Sequence, residues 1–201
     1  MRERTIGCAV LAALILAANL PGVASARNGC TFTFPAAGGH YDKTVVAGDR
    51  LCGGPGVDIV RHMAGGTFRG RGGADRVGRM DGGTFIGGKA SDTVATLSGG
   101  TFRGQRGLED VRRMAGGTFV GGKARDRVLV MTNGSFDGGA YRDLVVELRG
   151  GTFDGGPGID EVPYCLEIPP AEPVDVEVAV AQACSAIVPG NDRPVSSPSE
   201  P

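Results

Sequence analysis

From Gly48 onward the apolar and polar positions repeat every 17 residues without an insertion. Units begin at Gly48, Gly65, Gly82, Gly99, Gly116, Asn133 and Gly150 and share the pattern G-G-T-F-x-G-G-x-G-x-D-x-V-x-x-M-x. Three apolar columns result. The first is Leu51, Phe68, Phe85, Phe102, Phe119, Phe136 and Phe153. The second is Val60, Val77, Val94, Val111, Val128, Val145 and Val162. The third is Met63, Met80, Leu97, Met114, Met131 and Leu148, ending in Cys165. Thr-Phe-x before Gly-Gly has the alternation of a short strand with Phe inward, and Asp-x-Val gives a second strand with Val inward. From Val to Met is three positions, which breaks strict alternation and predicts a bend. Seventeen residues are too few for two helices and their turns, and one such unit cannot bury its apolar side chains alone. The pattern therefore predicts an all-β, right-handed parallel β-solenoid of seven 17-residue coils over residues 48–166, with two or three sides. At about 4.8 Å per coil the rod is on the order of 30 Å long.

The flanks differ in character. Arg2 and Arg4, the apolar run from Ile6 to Leu20 and the small-residue site Ala24-Ser25-Ala26 predict a signal peptide over residues 1–26 and a secreted protein. The apolar run is short for a membrane span. Removing that segment takes Cys8 with it and leaves Cys30, Cys52, Cys165 and Cys184. An even count in an exported chain reads as disulfides, with three possible pairings. The positions favour Cys30–Cys52 and Cys165–Cys184, because one pair brackets the start of the repeats and the other their end. A metal site is disfavoured by the lack of a Cys-x-x-Cys pair or a His cluster. Residues 27–47 are expected to cap the first coil, with Thr31-Phe32-Thr33-Phe34 as a strand. Residues 167–188 are expected to cap the last, with Val174 to Val180 as an edge strand, and residues 189–201 form a disordered Pro/Ser tail.

Candidate chemistry lies in the loop between the first two strands. Gly53-Gly54-Pro55-Gly56-Val57-Asp58-Ile59-Val60 matches G-G-x-G-x-D-x-U in full, and Gly155-Gly156-Pro157-Gly158-Ile159-Asp160-Glu161-Val162 matches it again. With Cys30-Thr31 ahead of Cys52-Gly53-Gly54, the chain resembles the haemolysin-type (RTX-like) calcium-binding repeat proteins, closest to small secreted bacterial members, over about residues 30 to 166. That resemblance implies Ca2+ shared between loops of neighbouring coils, with glycine carbonyls and Asp carboxylates as hard ligands. The residues it points to are Gly54, Gly56, Asp58, Gly73, Asp75, Asp92, Asp126, Asp143, Gly158 and Asp160, with Glu109 in the column's fourth place. The best pair is unit one with unit two, where Gly72-Gly73 is intact. The middle loops depart from the family pattern: Ala90, Ala124 and Tyr141 replace a glycine, and Arg71, Lys89, Gln105-Arg106, Lys123, Arg125 and Arg142 crowd them. The competing expectation is that the middle carboxylates pair with Arg and Lys of adjacent coils, so that a charge ladder replaces calcium.

Charge is unevenly distributed along the chain. Residues 65–132 hold twelve Lys or Arg against six acids, and residues 133–201 hold three against twelve. The basic middle, with Arg69, Arg71, Lys89, Arg103, Arg106 and Lys123, raises an alternative function as a calcium-independent polyanion-binding module. Nucleic acid is disfavoured as the polyanion because aromatic stacking residues are missing from that stretch. The rank Thr67, Thr84, Thr101, Thr118, Ser135 and Thr152 reads as cross-strand hydroxyl pairing, and its charged neighbours argue against ice binding. No phosphate-loop motif occurs, and neither His40 nor His62 has a nucleophile beside it in sequence. The chain is expected not to be an enzyme, because units this uniform leave no cleft. Its expected role is structural or adhesive, outside the cell.

Overall fold

A computed structural model describes residues 29–165 and the pair 187–188. The signal peptide, the edge strand at 174–180, Cys184 and the terminal tail predicted above lie outside the described residues. Thirteen strands join in one sheet, and every strand-to-strand pairing among the described residues is parallel. They are β1 (Phe32–Thr33), β2 (Gly38–Val45), β3 (Arg50–Cys52), β4 (Val57–Arg71), β5 (Arg76–Gly88), β6 (Thr93–Leu97) and β7 (Thr101–Gln105). There follow β8 (Asp110–Gly122), β9 (Arg127–Gly139), β10 (Leu144–Leu148), β11 (Thr152–Asp154), β12 (Tyr164–Cys165) and β13 (Ile187–Val188). The chain is an all-β parallel solenoid, and its register is the sequence period: Phe68 faces Phe85, Val60 faces Val77 and Met63 faces Met80.

The paired runs settle the number of sides. Each coil pairs at Thr-Phe-x, again at the residue before Val and Val itself, and again at the two residues ending in Met or Leu. The residue after Val drops out of the pairing, and the register shifts again between Met63 and Thr67 at the Gly-Gly corner. A coil thus has three sides, with the predicted bend lying between Val and Met.

All three columns are buried, from Leu51 to Phe153, from Val60 to Val145 and from Met63 to Leu148. Phe68, Phe85, Phe102, Phe119, Phe136 and Phe153 form a continuous stack with ring centroids 4.6–5.0 Å apart and interplanar angles of 5–19°. The offset between rings is the coil spacing itself, so a backbone rise set by parallel hydrogen bonding also sets the aromatic contact.

The N-terminal cap is a further, imperfect coil. Phe32 pairs with Leu51, Tyr41 with Val60 and Val45 with Met63, at spacings of 19, 19 and 18 residues. Phe32, Phe34 and Tyr41 cover the open end of the aromatic stack, Phe34 lying 5.6 Å from Phe68. The Cys30–Cys52 disulfide ties this cap to coil one across a Cα–Cα distance of 6.0 Å. At the other end β13 pairs with β11, placing Ile187 beside Phe153 and so continuing the ladder past the last repeat.

An inward column of carboxylates

The Asp of each loop stands two residues before the inward Val, so alternation sends its side chain into the coil with Val. Asp58, Asp75, Asp92, Glu109, Asp126 and Asp143 are all buried to 1 % exposure or less. From Asp75 onward each carboxylate accepts a hydrogen bond from the backbone N–H of the matching residue one coil back. Asp75 Oδ1 accepts from the Asp58 N–H at 2.8 Å, Asp92 Oδ1 from Asp75 at 2.8 Å and Glu109 Oε2 from Asp92 at 2.8 Å. Asp126 continues the series on Glu109, Asp143 on Asp126 and Asp160 on Asp143, at 2.7–2.8 Å. The column is therefore a hydrogen-bonded ladder along the rod, binding coil to coil at the corner where the main-chain pairing lapses.

One oxygen of each carboxylate is left over. Asp58 Oδ1, Asp75 Oδ2, Asp92 Oδ2, Glu109 Oε1, Asp126 Oδ2 and Asp143 Oδ2 are buried without a donor. Those of Asp75, Asp92, Asp126 and Asp143 lie against the first glycine of their loops. A Cβ on Gly70 would lie 2.0 Å from Asp75 Oδ2 and 2.8 Å from the Gly87 carbonyl oxygen; Gly121 is hemmed in the same way by Asp126 Oδ2 and the Gly138 carbonyl. At Gly70 and Gly121, then, one carboxylate oxygen without a donor and one carbonyl oxygen border the same glycine.

The expected charge ladder with Arg and Lys does not form. Among the described residues the ion pairs are His62–Asp81, Arg79–Asp81, Arg127–Asp110, Arg142–Glu161 and Arg149–Glu147, and none involves the column. The reason is geometric: the loop cations Arg71, Lys89, Arg106, Lys123, Arg125 and Arg142 point outward and are exposed, while the carboxylates point inward. Burial accordingly pushes the column acids up, to about 7 at Asp75, Asp92 and Asp126, about 8 at Glu109 and about 6 at Asp143. Asp58 shifts upward for the same cause. The backbone N–H bonds act the other way and are outweighed.

The loop glycines named from sequence divide by role. Gly73 has φ +86° and no room for a Cβ, which would meet the Gly56 carbonyl at 2.1 Å; Gly158 is pressed likewise on the Tyr141 carbonyl. Close stacking of the corners accounts for both. Gly54 donates its N–H to Asp58 Oδ2 at 3.0 Å. Asp160 is only half-buried. No cluster of three or more His, Cys, Asp or Glu side chains placed to share one metal ion occurs among the described residues.

The basic residues split into two groups. Arg69, Arg71 and Arg103 stand on the side that carries the Thr-Phe strand, whereas Lys89, Arg106 and Lys123 occupy the glycine-aspartate corner. The threonine rank is in register from Thr67 to Thr118 and on through Ser135 to Thr152, without hydroxyl-to-hydroxyl bonds among the described residues. Sequence gave no partner for His62, yet it bridges three coils: Thr44 Oγ1 lies 3.3 Å from Nδ1 and Asp81 Oδ2 lies 3.0 Å from Nε2. Arg79 Nε holds the same carboxylate at 2.7 and 2.9 Å, so Asp81 is not dedicated to the imidazole. No family model, curated protein or solved structure matches the chain.

Proposed function

We propose that this chain is an exported structural rod whose inward carboxylate column takes up calcium as its countercharge. The supporting observation is the column itself, six buried acids with no cationic side chain against them and one oxygen each without a donor. Ionised groups in such a setting need compensation from protons or from an external cation. The oxygens available there, carboxylate and glycine carbonyl, are the hard donors that calcium takes. Coils one and two, with Asp58, Asp75, Gly54, Gly56 and Gly73, carry one loop cation, Arg71, keep Gly53-Gly54 and Gly72-Gly73 intact, and are the principal site in this reading. Asp92, Asp126, Asp143 and Asp160 with Gly158 extend the column beyond it.

The test is a thermal melt of the purified chain at pH 8 in excess EDTA and again in millimolar calcium. The expected result is a rise of several degrees in calcium, lost in the Asp75→Asn variant. Superimposable melts overturn calcium as the countercharge and leave protons in that role.

A further inference from the structure

Three non-glycine residues among those described hold a left-handed backbone, Arg71 (φ 74°), Gln105 (φ 105°) and Tyr141 (φ 88°). Arg71 and Gln105 occupy the same place in their coils. There the coils between and after them carry Gly88, Gly122, Gly139 and Gly156, all with positive φ. The position thus calls for glycine, and two coils put a long polar side chain there despite the strain. Both residues line one depression. Arg69, Arg71, Ile86, Gly87 and Gln105 line a cavity of about 330 Å³ on the Thr-Phe side, and Arg50, Thr67, Arg69 and Arg71 line an adjoining one of about 210 Å³ beside the Cys30–Cys52 bridge. Every ion pair among the described residues lies on the other sides of the coil, so the guanidinium groups of Arg50, Arg69, Arg71 and Arg103 face solvent without an acidic partner.

From this placement we infer that Arg69, Arg71 and Gln105, flanked by Arg50 and Arg103, form a binding site for an acidic polysaccharide. Guanidinium forks recognise carboxylate and sulfate oxygens in pairs. The Gln105 amide both donates and accepts, as sugar hydroxyls require, and the half-buried Thr84 and Thr101 hydroxyls run alongside. Ile86 gives the floor an apolar spot for the C–H face of a sugar ring. The side bears no aromatic group on which a nucleobase would stack, which sets a saccharide above a single-stranded nucleic acid. Asp137 and Asp154 on the same side repel an anion, so the ligand lies over coils one to four, a stretch of about 14 Å. The site is independent of calcium in the column.

The test measures binding of dextran sulfate and of polygalacturonate to the full chain at about 50 mM salt, where phosphate-like contacts are strong. Neutral dextran and a single-stranded DNA oligomer serve as comparisons. The informative variants are Arg71→Gly and Gln105→Gly, which restore the residue their neighbours use and should melt no lower than wild type. Expected is binding to at least one acidic polymer, weakened tenfold or more by R71G and severalfold by Q105G, with no binding of neutral dextran. Preference between the two polymers tells sulfate from carboxylate recognition. The inference is overturned by no binding to either polymer, by equal binding of both variants, or by DNA bound as tightly and with the same losses.

Discussion

Replacing Asp92 by Asn isolates the cost of charge in the column. The side chain is 1 % exposed, and its Oδ1 accepts the Asp75 N–H at 2.8 Å. An amide oxygen keeps that bond, and the amide nitrogen that takes the place of the donor-less Asp92 Oδ2 carries no charge and needs no donor. Burial raises the Asp92 carboxyl from 3.8 to about 7. An acid held above its unfolded value binds its proton more tightly in the folded state, so its contribution to stability is greatest below about pH 4 and falls as pH rises to about 7. The three-unit difference corresponds to about 4 kcal/mol at pH 8. Expected in EDTA at pH 8 is an Asn variant more stable by about 2–4 kcal/mol, or roughly 5–15 °C in melting temperature for a chain of this size. Near pH 5, where Asp92 carries its proton in the folded state, the gain should shrink strongly. The assay is a pair of thermal melts followed by circular dichroism. An Asn variant less stable than wild type at pH 8 would refute the reasoning, because it would mean that the charged carboxylate is favourable where it stands.

Further outcomes follow from the packing. Asp92→Ala should lose about 1–3 kcal/mol relative to Asp92→Asn in urea unfolding, since it leaves the buried Asp75 N–H without an acceptor. Phe102→Ala removes a ring held between Phe85 and Phe119 at 4.8 and 4.9 Å and should cost about 3–5 kcal/mol by the same measurement. Gly87→Ala places a Cβ 2.1 Å from Asp92 Oδ2 and should destabilise by about 1–3 kcal/mol, a loss that Asp92→Ala in the same chain should partly relieve. Reduction of Cys30–Cys52, which closes a span of 22 residues, should lower stability by about 3 kcal/mol and loosen the N-terminal coil first, as hydrogen exchange at Phe32 and Tyr41 would report.

The period of 17 makes the parallel stack, its three columns and their register legible in the sequence, because a uniform repeat leaves one way to bury Phe, Val and Met together. The Cys30–Cys52 pair was legible from its position astride the first coil. The direction of the Asp side chains was available in principle, since Asp58 stands two residues before Val60 and alternation aims both the same way. The motif points to the loop, and spacing there offers the Asp both calcium and the nearby Arg and Lys as partners. Those cations branch outward while the carboxylates branch inward, a difference that spacing along a loop does not encode. The N-terminal coil escaped the pattern because its spacings are 19, 19 and 18 rather than 17. Arg50 escaped as well, and Gln105 stands out in the sequence only as a departure within its loop. The signal for Gln105 was present, since it and Arg71 interrupt a place held by glycine in five other repeats, Gly54, Gly88, Gly122, Gly139 and Gly156.

The carboxyl carbons of the column give the most direct reading of the account, through their chemical shifts followed by NMR against pH in the EDTA-treated chain. A buried column without cationic partners predicts that Asp75, Asp92, Glu109, Asp126 and Asp143 titrate as a coupled group with apparent midpoints between about 6 and 8, displaced downward when calcium is added. Carboxyl groups that all titrate near 4 in EDTA would contradict it, because acids at ordinary values are solvated or paired, and neither describes an inward ladder.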